Sequence, residues 1–209
     1  MKTRVIGLTI TAKVQRQSEK GDYERRLHKR LNGIAMPDAI KRLPLSEDGY
    51  PIPWFAQWFL DGKPGAVGVG KPDFRFPDRQ KRYQSNDTQC WICGERLGEE
   101  KAFVAGSSIV RTRMVHEPPS HRERAIFAAK ASPFICNPKM RRNRTNLPAE
   151  DLIINEDVSH PDTYCVWVTR RFTASRCSGG RKLWRLGDPD VVLWFSGGKE
   201  AKPNEGRGT

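Results

Sequence analysis

Cys90-Trp91-Ile92-Cys93-Gly94 holds the residues of this chain best suited to chemistry. Two thiolates two residues apart on a tight turn can reach one tetrahedral ion, and the glycine accepts the left-handed backbone that aims amide hydrogens at the sulfurs. One pair is half a site. The next candidates along the chain are His116 and His121, in the run His116-Glu117-Pro118-Pro119-Ser120-His121, and Cys136, in Phe134-Ile135-Cys136-Asn137-Pro138-Lys139. His121 stands where a helix should begin, which makes it the expected third ligand. Two ligands of a treble clef usually lie three residues apart at the helix start, but position 124 is Arg. Cys136 is therefore the expected fourth ligand, ahead of His116, because thiolate binds zinc well. A metal-free pair of thiols is the bland alternative. A redox Cys-x-x-Cys is disfavoured, since no βαβ pattern surrounds the pair.

These residues need elements to position them. After the cysteine pair, residues 102–105 and 109–111 read as two strands turned at Gly106-Ser107-Ser108. A helix should start at Pro119 or Ser120, run to Lys130 and end at Pro133. Knuckle, hairpin and helix in that order predict a treble-clef-like zinc-binding core over residues 87–146.

Residues 1–86 form the preceding part. Residues 5–14 alternate as a strand, and residues 22–31 read as a charged helix with Asp22 as N-cap and Asn32-Gly33 as its stop. Residues 37–77 are rich in proline, glycine and tryptophan. Their aromatics, Trp54, Phe55, Trp58 and Phe59, suit a core plug better than a base-stacking platform. The glycines at 65–70 lack phosphate-loop spacing and predict a flexible loop. Residues 147–198 begin with an acidic connection to position 162. Strands at 164–172, 183–186 and 191–195 should then form a small antiparallel sheet, the last two meeting around Gly187-Asp188-Pro189. Residues 199–209 read as a mobile tail. The fold class expected is α+β, with short antiparallel strands and a few short helices.

Charge points to a partner. The chain of 209 residues carries a net charge of +13 and a pI near 9.8. Residues 111–144 hold nine Lys and Arg against two Glu, and residues 164–185 hold six basic residues and no acid, so these windows account for the whole excess. Lys139, Arg141, Arg142, Arg144, Arg170 and Arg171 are the candidate phosphate-binding residues, for DNA or RNA. Pairing of these arginines with the acidic 150–162 segment is the alternative. The first ten residues are interrupted by Thr9 before a signal-peptide core is complete, and no apolar run reaches bilayer-spanning length. Five cysteines with one Cys-x-x-Cys fit a reducing cytoplasm and no structural disulfide.

Several of these runs together carry a resemblance. Tyr50-Pro51-Ile52-Pro53-Trp54-Phe55, Lys71-Pro72-Asp73-Phe74-Arg75, Cys90-Trp91-Ile92-Cys93-Gly94 with Leu97-Gly98, Glu117-Pro118-Pro119-Ser120-His121, Ser132-Pro133-Phe134 and Leu186-Gly187-Asp188-Pro189 resemble a family of uncharacterised bacteriophage and prophage proteins. The resemblance covers most of residues 50–198 and implies a phage-encoded protein of the host cytoplasm. It also implies a Cys-x-x-Cys and His-x-x-Cys zinc site, although this chain has Arg124 and Ser132 where the family pattern has Cys. It carries no activity.

A second outline, from Cys90 and Cys93 through His116 to Cys136-Asn137-Pro138-Lys139, is similar to HNH endonucleases. It implies His116 as the base that activates water beside a divalent ion. The chain lacks the Asp before His116, a second cysteine before Cys136 and the following metal-binding His. A nucleic-acid-binding protein with a structural zinc is thus the first expectation. A metal-dependent nuclease and an inhibitor of a host nucleic-acid enzyme are its alternatives.

Overall fold

The computed structural model describes residues 21–61, 63–65, 71–73, 88–136, 163–176 and 182–202. The expected strand at 5–14, the basic residues Lys139, Arg141, Arg142 and Arg144 and the acidic segment 147–162 lie outside the described residues.

Residues 164–169, Tyr-Cys-Val-Trp-Val-Thr, have every side chain buried. This strand, β6 (Tyr164–Thr169), lies inside an antiparallel four-stranded sheet of order β10-β9-β6-β4, where β4 is Lys101–Gly106, β9 is Val191–Ser196 and β10 is Lys199–Ala201. Both faces of the sheet are covered. The odd positions, Phe103, Ala105, Cys165 and Trp167, meet Ile109, Val115, Trp184 and Leu186. The even positions, Ala102, Val166 and Val168, meet Ala125 and Ala129 of a helix. A near-continuous apolar strand is what two-sided burial requires.

The second layer is a three-stranded antiparallel sheet of order β5-β8-β7: Met114–Val115, Lys182–Leu186 and Phe172–Arg176. The expected pairing of 183–186 with 191–195 does not occur. The chain changes sheets at Gly187-Asp188-Pro189, where Trp167 Nε1 donates to the Gly187 carbonyl at 3.2 Å and the Thr169 hydroxyl lies 2.9 Å from the Asp188 carbonyl. An ordinary hairpin would put both strands in one sheet; these bonds turn the chain over the sheet edge.

The third layer is α3 (Arg122–Ala131), preceded by α1 (Asp38–Lys41) and α2 (Ile109–Thr112) and followed by α4 (Pro133–Cys136). Helix α3 is buried on two sides. Ala125 and Ala129, four apart, face the sheet, while Phe127 and Ala131 face Leu31, Ile40, Cys90, Ile92 and Leu97. Such a helix has no single apolar stripe, and its alanines let it approach the strands closely.

Four expectations need correction. Residues 109–111 form the single turn α2, and Arg113 leaves it at φ +55, so 102–105 pairs with β6 rather than in a local hairpin. Sheet pairing of β4 with β6 crosses the expected boundary at 146/147. The 22–31 helix breaks after residue 26: the His28 amide donates to the Gly49 carbonyl, and a 3₁₀ turn (Lys29–Leu31) with Asn32 as C-cap follows. The expected tail begins with β10, whose Lys199, Glu200 and Ala201 pair with Ser196, Phe195 and Trp194.

The aromatic cluster divides. Trp54 and Phe55 precede β1 (Gln57–Leu60), which pairs with β2 (Lys63–Gly65) and β3 (Lys71–Asp73). Phe55 stacks on Trp91 with ring centroids 4.3 Å apart, and Trp54 packs on the same cluster as Phe103 and Trp167. Among the described residues no helix is long and apolar enough to cross a membrane.

Candidate metal centre

The knuckle is a closed backbone turn. Gly94 donates to the Cys90 carbonyl at 2.8 Å, Cys90 to the Glu95 carbonyl at 2.7 Å and Leu97 to the Thr88 carbonyl at 2.6 Å. Gly94 takes φ +78, and a Cβ built there would lie 2.5 Å from Trp54 Cδ1, so the turn needs glycine for both its backbone and its neighbour.

The Pro118-Pro119-Ser120 run brings the helix to the knuckle. Trp91 donates to the Pro119 carbonyl at 3.1 Å, and Ser120 exchanges two backbone bonds with Ala102 of β4 at 2.8 and 2.9 Å. A proline offers a carbonyl and no N–H, so Pro119 enters this turn as a hydrogen-bond acceptor. These three bonds fix His121 as N-cap of α3, with extended φ −67 and ψ 148. Its side chain makes no capping bond, and Nδ1 instead lies 3.7 Å from Cys93 Sγ.

Cys90, Cys93 and His121 thus meet, their ligand atoms all within 4.8 Å of one another, close enough to hold one metal ion. His121 Nε2 lies 3.0 Å from the Arg96 carbonyl. A carbonyl only accepts, so Nε2 carries the proton and Nδ1 keeps the lone pair a metal requires. Cys90 is buried, with Cys93 and His121 half-buried. The Cys90 thiol is held below its ordinary range, chiefly by the hydrogen bond from the Cys93 thiol and, against the cost of burial, by the Cys93 and His121 amides. Cys93 is pushed up as the donor of that bond and by burial. Two sulfurs and an imidazole form a donor set for a borderline-soft ion.

Cys136, the expected fourth ligand, is not among them. Ten residues of α3, about 15 Å of helix, separate its end from His121. The buried Cys136 Sγ lies 3.4 Å from the Ala129 carbonyl and 3.2 Å from that of Lys130, satisfying the last turn of α3. Burial raises its pKa above the ordinary thiol value. The other fourth-ligand candidate, His116, also stands apart: its Nδ1–H donates to the Lys182 carbonyl on β8 at 3.3 Å. Among the described residues, Cys90, Cys93, Cys136 and Cys165 are free thiols.

Arg124, at the position where a fourth ligand was expected, is 13% exposed and reaches Glu95 Oε2 with Nη2 at 2.8 Å. Arg42 holds the other Glu95 oxygen. Sequence reasoning overlooked Glu95 and the Arg96 carbonyl; the Cys-x-x-Cys-Gly turn was their only signal, because such a turn folds the next residues back over the sulfurs.

Of the candidate phosphate-binding residues, Arg170 and Arg171 are exposed on the turn between β6 and β7. The Thr169 hydroxyl shapes that turn by accepting from the Arg171 amide at 3.0 Å, and Gly187 donates to the Arg171 carbonyl at 2.7 Å. Arg185, missed by sequence reasoning, is exposed opposite Thr173 on the neighbouring strand. Comparison with protein-family models, curated proteins and solved structures gives no match.

Proposed function

We propose that this is a small nucleic-acid-binding protein whose knuckle and α3 are joined by a structural zinc ion on Cys90, Cys93 and His121. Knuckle plus helix start is the treble-clef way of binding metal, here without the local hairpin. Zinc on both thiolates and the imidazole would tie the knuckle to the start of α3. A reducing cytoplasm, where the free thiols stay reduced, suits this site, and the resemblance to phage proteins would make it the host's.

One observation carries the nucleic-acid reading. Arg170, Arg171 and Arg185 lie exposed around one strand pair, and no carboxylate among the described residues forms an ion pair with them. Arg113, in contrast, is used internally: it sits 4.5 Å over the Trp167 ring and reaches Asp188. Guanidinium groups with no ion pair among the described residues are available to phosphates, and each phosphate they neutralise releases counterions. Lys139, Arg141, Arg142 and Arg144, outside the described residues, are further candidate phosphate contacts by charge alone.

The test is binding of duplex DNA, single-stranded DNA and RNA across about 50 to 200 mM salt. Affinity should fall steeply with salt. The triple variant R170A/R171A/R185A should weaken binding and flatten the duplex salt slope by about 0.9 for each phosphate it no longer neutralises. No binding to any of the three at the lowest salt refutes the reading.

A further inference from the structure

The site described so far has three ligands, and a structural zinc takes four. We infer that the Glu95 carboxylate is the fourth ligand and that Arg124 is the cation that holds it there, a proposal that rests on the metal-centre reading above.

Distance carries the argument. Two ligands on one tetrahedral zinc, at about 2.3 Å for sulfur and 2.1 Å for nitrogen or oxygen, lie about 3.6 Å apart. Cys93 Sγ is 3.7 Å from His121 Nδ1 and 3.8 Å from Glu95 Oε2. Cys93 therefore stands at the spacing of a shared ion from both. Glu95 Oε2 is not within 4.8 Å of both other ligand atoms, so closure requires its side chain to turn inward. Both of its oxygens carry arginines, Arg42 on Oε1 and Arg124 on Oε2, so turning inward exchanges the Arg42 contact for the ion while Arg124 keeps its hold. The side chain is 43% exposed on the wall of a cleft of about 610 Å³, which leaves room for that movement. Its backbone is already fixed, because its carbonyl accepts from Cys90.

Charge supports the same assignment. Two thiolates, one carboxylate and a divalent ion sum to one negative charge, which needs a cation when half buried. Arg124 supplies it, with Nη2 on Glu95 Oε2 at 2.8 Å, Nη1 on the more exposed Glu123 and only 13% of its own side chain exposed. Ligating carboxylates are commonly oriented by such a second hydrogen bond.

The experiment uses the full chain loaded with Co²⁺, which reports thiolate ligation by charge-transfer absorption and coordination geometry by its visible bands. Azide is the probe for an open position. Wild type should give four-coordinate bands that azide does not change. E95A should bind Co²⁺ about 10-fold to 100-fold more weakly or worse, and azide should shift its bands. R124Q should keep azide resistance at reduced affinity, and far-ultraviolet dichroism confirms that each variant is folded. Azide-responsive bands in the wild type, or unchanged affinity in E95A, overturn Glu95 as ligand while leaving the three-ligand centre standing. Absence of thiolate charge transfer in the wild type overturns both.

Discussion

His121 and Arg96 are joined by one hydrogen bond, in which the imidazole Nε2–H donates to the backbone carbonyl across 3.0 Å. That bond selects the tautomer, and the tautomer leaves the lone pair on Nδ1, the nitrogen that faces Cys93. An N-cap position normally offers its side chain to the helix amides; this one offers it to the knuckle. His121 is thus held with its Nδ1 lone pair toward the knuckle sulfurs, where the three groups lie close enough to hold a metal ion.

The first prediction concerns the ligand set. Purified wild type should hold one zinc per chain, whereas Cys90→Ser, Cys93→Ser and His121→Ala should each lose it under the same dialysis. Cys136→Ser should retain it, because its thiol serves the last turn of α3. Metal analysis of the four variants checks this, and loss of zinc in Cys136→Ser is the result that contradicts it. Removal of the ion with a strong chelator should lower the melting temperature of wild type but leave that of His121→Ala nearly unchanged.

A second prediction follows from Gly94. At φ +78 a side chain costs about 1–2 kcal/mol in backbone strain, and the new Cβ would meet the Trp54 ring at 2.5 Å. Gly94→Ala should therefore destabilise by more than about 2 kcal/mol and weaken metal binding. In a Trp54→Ala background the same change should cost less, since only the backbone component remains. Urea unfolding of the four proteins in this cycle measures the difference; equal costs in both backgrounds would show that the ring does not press on the turn.

How far the sequence could be read differs by element. Cys90, Cys93 and His121 were legible because their chemistry is local: a tight turn and a helix start each leave a short-range signature. Helix α3 was legible from its proline boundaries. Cys136 misled because ligand type was visible and direction was not; only the length of α3 shows that it sits at the opposite end. Residues 109–111 misled because Ile-Val-Arg has strand propensity, while the left-handed Arg113 and burial of Ile109 under the sheet favour one helical turn. Strands β8 and β9 were each recognisable, but their separation into two sheets depends on Trp167, Thr169 and Gly187 bonding across the corner. Glu95 carried no signal of its own beyond its place after Gly94.

Packing of α3 on the sheet gives the third prediction. Ala129 is fully buried between Ala102, Val166, Val168 and Phe195. Ala129→Leu should cost about 1–3 kcal/mol by overpacking, while Arg122→Ala, exposed on the first turn of the same helix, should stay within about 0.5 kcal/mol. Denaturant midpoints decide it. If both variants unfolded at the wild-type midpoint, the helix could not be seated on the strands as closely as its alanines imply.

Cys165 sets the behaviour at alkaline pH. Its thiol lies fully buried in the centre of β6, and burial pushes its pKa from 9.0 up to about 12. Between those values the folded chain keeps a proton that the unfolded chain has lost, so stability falls as pH rises, by up to about 1.4 kcal/mol per pH unit. Tyr23, also raised to about 12 by burial but from 10.0, adds the same sign only above its own ordinary value. Cys136 shifts in the same direction, so the informative comparison is wild type against Cys165→Ala, which leaves that contribution in place. Stability of the metal-loaded proteins should be measured at pH 8, 9 and 10. Cys165→Ala should be less stable at pH 8, because it opens a cavity, yet its curve should be flatter by about 1.4 kcal/mol at pH 10. Parallel curves would mean that Cys165 is not the group responsible. A direct readout accompanies this: iodoacetamide at pH 8 should fail to label Cys165 in the folded chain and label it once the chain is unfolded, since only the exposed thiolate reacts.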